Sequence, residues 1–328
     1  MRRALAFLCL ALGAPALAHA SYEERAEVRA FIRSMVERHG FVEGELRSLF
    51  SRVQRAEPVL QAIKPPPERP EWQDYRALFV TERRIESGLA FWNTYRRALA
   101  RAQRDYGVPP EFVVAIIGIE TLYGRNTGRW RVVEALTTLA FDYPPRADFF
   151  RGELESYLLL ARDAGLDVFS VRGSYAGAIG IPQFMPGSLR RYAVDFDGDG
   201  AIDVRRNAVD AIGSVANFLK QHGWQPGAPV QVRASVSGEA WRDYAEEIRP
   251  RHAIADLLNA GVQPEKAVDA PVALVDLGSE QRLGLQNFYV LTRYNRSALY
   301  AAAVSDLAEA LREKKNRGAP SPIQRPGK

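Results

Sequence analysis

Four stretches of this chain hold side chains whose types and spacing can do chemistry. Glu120 ends an apolar helical run, with Ile116 and Ile117 one turn before it and Tyr123 three residues after it. Residues at those spacings share a helix face, so the carboxyl meets groups that solvate it poorly. Desolvation disfavours the ionised form, raises the pKa and keeps the proton in place near neutral pH, as a general acid requires. A helix-end glutamate turned out to water is the other reading of the same residue.

The second stretch is Gly173-Ser174-Tyr175-Ala176-Gly177-Ala178-Ile179-Gly180-Ile181-Pro182-Gln183-Phe184-Met185-Pro186-Gly187-Ser188. Its small residues let backbone approach a ligand, Ser174 and Gln183 offer hydrogen bonds, and Phe184 and Met185 supply apolar surface. Sugars ask for that mixture, because hydroxyl and amide groups need polar partners while ring faces need apolar ones. A tight structural loop around a buried glutamine is the alternative. No phosphate-binding loop competes, since neither GxxxxGK[ST] nor GxGxxG occurs.

The third stretch, Asp195-Phe196-Asp197-Gly198-Asp199-Gly200-Ala201-Ile202-Asp203, follows the opening of a calcium loop. Carboxylates at alternate positions 1, 3 and 5 converge as the chain wraps, a glycine at 6 permits the turn, and the carbonyl at 7, here Ala201, adds a hard oxygen. Position 12 holds Arg206 where an ordinary EF-hand has a bidentate glutamate, so Asp210 is the candidate for the closing carboxylate of a wider loop, 195–210. A solvated acidic turn is the plainer reading. Zinc is not indicated: the signal-like segment takes one histidine, and His39, His222 and His252 form no H-E-x-x-H pattern. The G-x-S-x-G elbow of a serine hydrolase is missing as well.

The fourth stretch, Asn287 to Tyr300, places Tyr294, Asn295 and Tyr300 at the start of the last helix, where they can stack on a sugar or hydrogen-bond a carboxyl such as Glu120. Packing alone would also explain them. Arg146, after the Pro144-Pro145 turn, is either an anchor for an acidic group or a surface arginine.

The elements that must position these groups read as mainly helical. Val28, Phe31, Ile32, Met35 and Val36 recur at helical spacing before Gly40, and Leu46, Leu49, Phe50 and Val53 mark a second short helix. The run Pro65-Pro66-Pro67, followed by Pro70, breaks any helix and extends the chain. One long helix is predicted from a Thr81 cap through Ile85, Leu89, Trp92, Leu99 and Ala102 to Tyr106-Gly107. Pro109-Pro110 opens the next, whose body Phe112–Ile119 must be buried on nearly all sides and which Gly124 stops. Between Pro229 and Tyr294, the even spacing of Val230, Val232 and Val236, the run Val272–Leu277, and Phe288-Tyr289-Val290-Leu291 predict short strands. A final helix follows Ser297, and a loose tail covers 315–328. The class is α+β, mainly α.

The sequence of 328 residues is 47% hydrophobic and 25% charged, a globular composition that excludes a disordered, collagenous or multi-span membrane protein. Residues 1–20 read as a cleavable export signal: Arg2 and Arg3, an apolar run from Ala4 to Leu12, and Ala18-His19-Ala20. The single cysteine, Cys9, lies inside it, so the mature chain has no thiol chemistry. Phe7 and Leu8 before Cys9 argue against a lipoprotein anchor, and the reading is a soluble periplasmic protein with no transmembrane anchor after cleavage. Removing Arg2 and Arg3 takes the formal charge from +5 to +3, which suits an anionic envelope better than nucleic acid.

Together these words resemble the lytic murein transglycosylase B family, a lysozyme-like group that cleaves peptidoglycan. The resemblance rests on Glu120-Thr121-Leu122-Tyr123-Gly124, Ser174 to Ala178, Gln183-Phe184-Met185-Pro186, Asp197-Gly198-Asp199-Gly200, Asp210 to Asn217, and Asn287-Phe288-Tyr289 through Tyr294-Asn295, in that order. It spans about residue 21 to 314, taken as one lobed catalytic domain. It implies a lysozyme-like core with a larger helical lobe and a small β-containing lobe, the glycan lying between them. It also implies that Glu120 is the sole catalytic carboxyl. Tyr75, Ser174, Gln183, Phe184, Tyr294, Asn295 and Tyr300 would line the cleft or orient the acid, and Asp195, Asp197, Asp199, the Ala201 carbonyl and Asp210 would hold a structural calcium. The implied partners are peptidoglycan glycan strands, with cell-wall synthesis proteins left open. The chain departs from the family at Gly187, where many relatives have serine, at Phe218, where an aromatic hydroxyl is expected, and over Asp203–Val209, one residue longer. Glu120 would act as acid and then base, closing a 1,6-anhydro ring on N-acetylmuramic acid. A hydrolytic muramidase and a non-catalytic, calcium-stabilised glycan-binding protein are the competing readings.

Overall fold

The computed structural model describes residues 21–64, 70–245 and 247–317, and these form two compact units divided between Gln54 and Arg55. The stretch predicted to be an export signal, the Pro65-Pro66-Pro67 run and the residues beyond Arg317 lie outside the described residues.

The first unit holds α1 (Ala26–His39) and α2 (Glu43–Arg52). Their apolar stripes meet: Val28, Phe31, Ile32 and Met35 of α1 and Leu46, Leu49 and Phe50 of α2 are buried, with Phe31 edge-on to Phe50 at 6.0 Å. Gly40 ends α1 in the left-handed conformation, as the sequence predicts.

The second unit opens with α3 (Glu57–Ala62), α4 (Trp72–Phe79), α5 (Glu82–Thr94), α6 (Arg96–Tyr106) and α7 (Pro110–Thr121). Thr81 caps α5 by accepting the Arg84 N–H at 3.2 Å. The single long helix predicted here is two, because Tyr95 leaves helical geometry (φ −103°, ψ 23°) between α5 and α6 while both keep their inner faces. Val113 to Gly118 of α7 are all buried, as its apolar composition requires. Gly124 is not what stops this helix. Leu122 (φ 50°) and Tyr123 (φ 61°) adopt the left-handed conformation themselves, a cost borne because the Tyr123 hydroxyl donates to the Arg84 carbonyl at 2.9 Å. That hydroxyl lies against Gly118, where an added Cβ would stand 2.5 Å from it.

A two-stranded antiparallel ladder, β1 (Trp130–Arg131) with β2 (Arg172–Gly173), brackets α8 (Val132–Asp142) and α9 (Ala147–Asp163). Then come α10 (Pro186–Tyr192) and α11 (Ala208–Gln221). The small sheet follows, with β3 (Gln231–Val236), α12 (Ile254–Asn259), β4 (Val262–Pro264), β5 (Ala273–Asp276) and β6 (Gln281–Gly284) in the antiparallel order β4-β3-β6-β5. Its core is Trp241, Leu257, Val262, Val272, Leu274, Leu283 and Leu285. The chain closes with α13 (Gln286–Tyr294) and α14 (Ala298–Arg317). Phe288 to Leu291, predicted as a strand, therefore belong to α13. Phe288, Val290 and Leu291 are wholly buried there, and burial on several sides overrides the β preference of aromatic and branched residues. Residues 315–317 continue α14 and are not part of a tail.

α14 packs along α7, its Ala301, Ala302 and Ala303 fully buried, so that small side chains bring the two backbones close. Arg282 of β6, 1% exposed, spans from sheet to helix: its Nη1 donates to Asp306 of α14 at 2.6 Å and its guanidinium lies 4.9 Å over Trp72. Arg76 of α4 donates to the same carboxylate at 2.7 Å. Burial alone would raise the Asp306 pKa, but hydrogen bonds and charge from Arg282 and then Arg76 outweigh it and hold the group below its ordinary value. The sheet, α4 and α14 are thereby fastened to each other.

Candidate active site

Glu120 lies in the last turn of α7, partly exposed, and Tyr300 of α14 donates its hydroxyl to Glu120 Oε1 at 2.7 Å. Burial raises the Glu120 pKa from 4.5 to about 7, and the Tyr300 hydrogen bond, which favours the ionised form, pulls against that rise. Tyr75 of α4, Tyr294 of α13 and Tyr300 surround the same charge: burial first, and then the Glu120 carboxylate, raises the pKa of each phenol. Tyr294 and Tyr300 are stacked at 6.4 Å and 10°. A carboxyl so placed can give up a proton near neutral pH and take it back.

The 173–184 loop is folded on itself and tied to this group from two sides. Bridges join Gly173 to Ile179 and Ile179 to Phe184. The Ser174 hydroxyl accepts the Ala178 N–H at 3.0 Å, and Ala178 returns its carbonyl to the Ser174 N–H at 2.9 Å. Thr121, the residue after Glu120, donates its hydroxyl to the Ile181 carbonyl at 2.9 Å, while the Tyr294 hydroxyl donates to the Pro182 carbonyl at 2.6 Å. Gln183 sits at φ 51°, its Nε2 donating to the Gly180 carbonyl at 2.8 Å and to the Thr127 carbonyl at 3.1 Å. Gly180 permits a close pass over the segment beyond, since a Cβ there would lie 2.6 Å from the Val204 carbonyl oxygen.

The structure thus joins Glu120, Tyr75, Tyr294, Tyr300 and, through backbone carbonyls, the Ser174–Gln183 loop. Asn295 is exposed beside Tyr294. Phe184 departs from expectation: it is 2% exposed, its ring covered by Phe218 at 5.5 Å and Tyr294 at 5.7 Å, so it backs Tyr294 and offers no face to a sugar. Phe218, predicted to miss a hydroxyl, stacks on His222 at 4.1 Å and continues that aromatic column to Tyr192. Arg146 is exposed and lies over the rings of Phe149 at 4.4 Å and Phe150 at 5.1 Å, away from the contacts that define the Glu120 group. Gly187 leaves its N–H to Glu153, which accepts it at 2.7 Å. The sequence alone shows no role for Thr121 and Arg84, and marks Tyr123 only as a neighbour of Glu120. Thr121 sits inside the Glu-Thr-Leu-Tyr-Gly word, where its neighbour to both glutamate and turn was the available signal.

In the acidic loop, carboxylate oxygens of Asp195, Asp197 and Asp210 lie within 4.8 Å of one another. Each is oriented by donors: Asp195 by the N–H groups of Gly198 at 2.7 Å and Gly200 at 2.9 Å, Asp197 by the Asn207 amide at 2.7 Å, Asp210 by Phe196 and Asp203 at 2.8 Å. Asp210 thus converges on the start of the wider loop, and Arg206 is exposed. Asp199 is outside the converging group, its Oδ1 accepting the Ala201 N–H at 2.8 Å. Three convergent carboxylates preoriented by backbone donors fit a hard cation such as calcium.

A largely helical fold that presents one carboxyl of near-neutral pKa beside a hydrogen-bonding loop suits acid-base chemistry on a polar substrate. The sequence matches the transglycosylase SLT domain over residues 23–309. It is 43% identical to membrane-bound lytic murein transglycosylase B of Escherichia coli K12 over 297 residues, covering 86% of this chain and 81% of that protein. The chain belongs to this family of lytic murein transglycosylases. Solved structures agree: catenated lytic transglycosylase SltB1 of Pseudomonas aeruginosa superposes with a TM-score of 0.85 at 46% identity, over 90% of this chain and 99% of that one. Escherichia coli Slt35 in complex with calcium gives 0.80 at 42% identity, over 88% and 93%. Pseudomonas aeruginosa SltB3 in complex with NAG-NAM-pentapeptide gives 0.78 at 28% identity, over 94% and 84%.

Proposed function

We propose that Glu120 is the one catalytic carboxyl of a peptidoglycan lytic transglycosylase, acting as acid and then as base. Its pKa of about 7, raised by burial beside Tyr300, carries the reading. Among the described residues Glu120 is the carboxyl whose charge reaches Tyr75, Tyr294 and Tyr300, and an ordinary glycosidase would need a second one there. Tyr300 holds Oε1, which leaves Oε2 to carry the transferable proton. That proton goes to the bridging oxygen between N-acetylmuramic acid and N-acetylglucosamine, and the substrate's own 2-acetamido group stabilises the developing positive charge. The carboxylate then takes the proton of the muramic 6-hydroxyl as that oxygen closes the 1,6-anhydro ring, so no water enters the product. Ser174, Gln183 and Asn295 line the glycan path, and the SltB3 complex with NAG-NAM-pentapeptide supports the substrate class.

The 195–210 loop holds calcium through Asp195, Asp197, Asp210 and the Ala201 carbonyl, a reading supported by the Slt35 complex with calcium. The ion's work is structural: the Val204 carbonyl in this loop accepts the Ile181 N–H at 2.9 Å, so fixing the loop steadies the segment that binds Thr121. The protein works in the envelope, where its substrate is. No helix among the described residues is long and apolar enough to cross a membrane.

Digestion of purified sacculi by wild type and Glu120→Gln, with products weighed by mass spectrometry, tests the assignment. Wild type should release muropeptides lighter by one water than hydrolysis products, and the variant should lose about a hundred- to ten-thousandfold in rate. A variant that still releases anhydro products at a near-normal rate, or a wild type that releases hydrated ones, overturns it.

A further inference from the structure

An open groove of about 510 Å³ runs beside α13, walled by Arg249, Arg293 and Arg296 together with Ile248, Tyr289 and Thr292. Tyr289, Arg293 and Arg296 follow one another at spacings of four and three, a single stripe down α13 and its exit. Arg249 comes from the segment before α12, its guanidinium 6.0 Å over the Tyr289 ring. All three arginines are exposed, and none is paired with a carboxylate among the described residues. The one acidic group in the wall, Glu247, is paired with Arg251. The groove therefore gathers three guanidinium groups that have no carboxylate partner of their own among the described residues. Its position matters as much as its charge: Arg293 and Arg296 bracket Tyr294 and Asn295, and Tyr294 stacks on the Tyr300 that holds Glu120.

We propose that this arginine groove binds the free carboxylates of the peptides attached to the glycan strand, and so makes the enzyme favour stem-bearing over bare strands. The proposal rests on the peptidoglycan reading above. Guanidinium forks match planar carboxylates two bonds at a time, a recognition that sugar hydroxyls do not require. On a murein strand the sugars contribute hydroxyl and acetamido groups, whereas negative charge resides in the peptides. Ile248 and the Tyr289 ring supply apolar surface for the aliphatic parts of such a peptide. An anionic lipid surface would also attract three arginines, but two of the three adjoin Tyr294 and Asn295 in the chain, which favours a part of the substrate.

The test compares wild type with Arg249→Gln/Arg293→Gln/Arg296→Gln on two substrates, stem-bearing sacculi and the same strands stripped of peptides by an amidase. Three exposed charge contacts should raise KM for the stem-bearing substrate about tenfold in the variant, with kcat unchanged and bare strands turned over equally by both proteins. The wild-type preference should fade with added salt and with stems whose carboxylates are amidated. Arg293→Gln alone, expected to raise KM about two- to threefold, serves if the triple variant does not fold. Calorimetric binding of a soluble stem-bearing muropeptide, weaker in the variant, gives a readout independent of turnover. Equal changes on both substrates, or none on either, overturn the proposal, as does loss of binding to phosphatidylglycerol vesicles without loss of stem preference. A wild type that releases no anhydro product from either substrate sinks the transglycosylase reading instead, while the muropeptide titration still decides the groove.

Discussion

Replacing Glu120 with glutamine should make the protein more stable at pH 8 and leave it nearly unchanged at pH 4.5. The folded carboxyl titrates at about 7 against an ordinary value of 4.5, because the fold disfavours its charge. Below pH 4.5 both folded and unfolded states hold the proton and the group is neutral in its effect. Between 4.5 and 7 the unfolded chain releases its proton while the folded protein keeps it, so stability declines through that window and stays low above it. At about 1.4 kcal/mol per pH unit the full gap comes to about 3.5 kcal/mol; partial exposure of the carboxyl trims this to about 2 to 3 kcal/mol. Glutamine keeps the shape and can still accept the Tyr300 hydroxyl, but has no charge to bury. Calorimetric melting of both proteins from pH 4.5 to 8 should therefore show a difference that opens with pH and reaches about 4 to 10 °C. A gap of constant size across that range would mean that the Glu120 pKa is ordinary, and the acid-then-base reading would lose its physical basis.

Two further outcomes follow from the same contacts. Tyr300→Phe removes the hydrogen bond that lowers the Glu120 pKa, so the alkaline limb of kcat/KM should move to higher pH by about one unit while kcat falls roughly tenfold for want of orientation; a limb that moves to lower pH would contradict the role given to Tyr300. Calcium at about a hundred times its dissociation constant should stabilise the protein by about 2.7 kcal/mol, a rise of several degrees in Tm, lost on chelation and absent in Asp195→Asn/Asp210→Asn. Melting that ignores both calcium and the double substitution would leave the acidic loop without an ion.

Much of this was legible in the sequence because short-range physics decides it. The Thr81 cap, Gly40, the Pro109-Pro110 start and the buried body of α7 needed no knowledge of distant contacts. Glu120 was legible only in part: apolar neighbours one turn away pointed to a poorly solvated carboxyl, but a helix-end glutamate turned to water fitted the same residues. What escaped depends on partners far along the chain. Phe288 to Leu291 read as strand until the surrounding helices bury them, and Phe184 read as ligand surface until Phe218 and Tyr294 cover it. The end of α7 was assigned to Gly124 because glycine is the usual left-handed residue. The Tyr123 hydroxyl on the Arg84 carbonyl, 39 residues away, is what holds the actual turn, and no local pattern announces it.

The same long-range contacts explain how a single carboxyl can be aimed well enough to do both proton transfers. Glu120 is followed by Thr121, whose hydroxyl grips the Ile181 carbonyl, while Tyr294 grips the adjacent Pro182 carbonyl. Two neighbouring peptide groups of one loop are thus held by two different helices, α7 and α13, and Tyr300 of α14 holds the carboxyl itself. Rotation of the loop would break bonds to both helices together, so Gln183, next in the chain and strained at φ 51°, keeps its place relative to the acid. The strain at Leu122 and Tyr123 belongs to the same design. α7 runs through Thr121, whose hydroxyl grips Ile181, and the left-handed turn that follows, seated on Arg84, lets the chain double back with the Gly124 N–H returning to Thr121 Oγ1 at 3.0 Å. Positioning here comes from closing the helix at the residue after the acid, while the tyrosines that surround the carboxyl come from α4, α13 and α14.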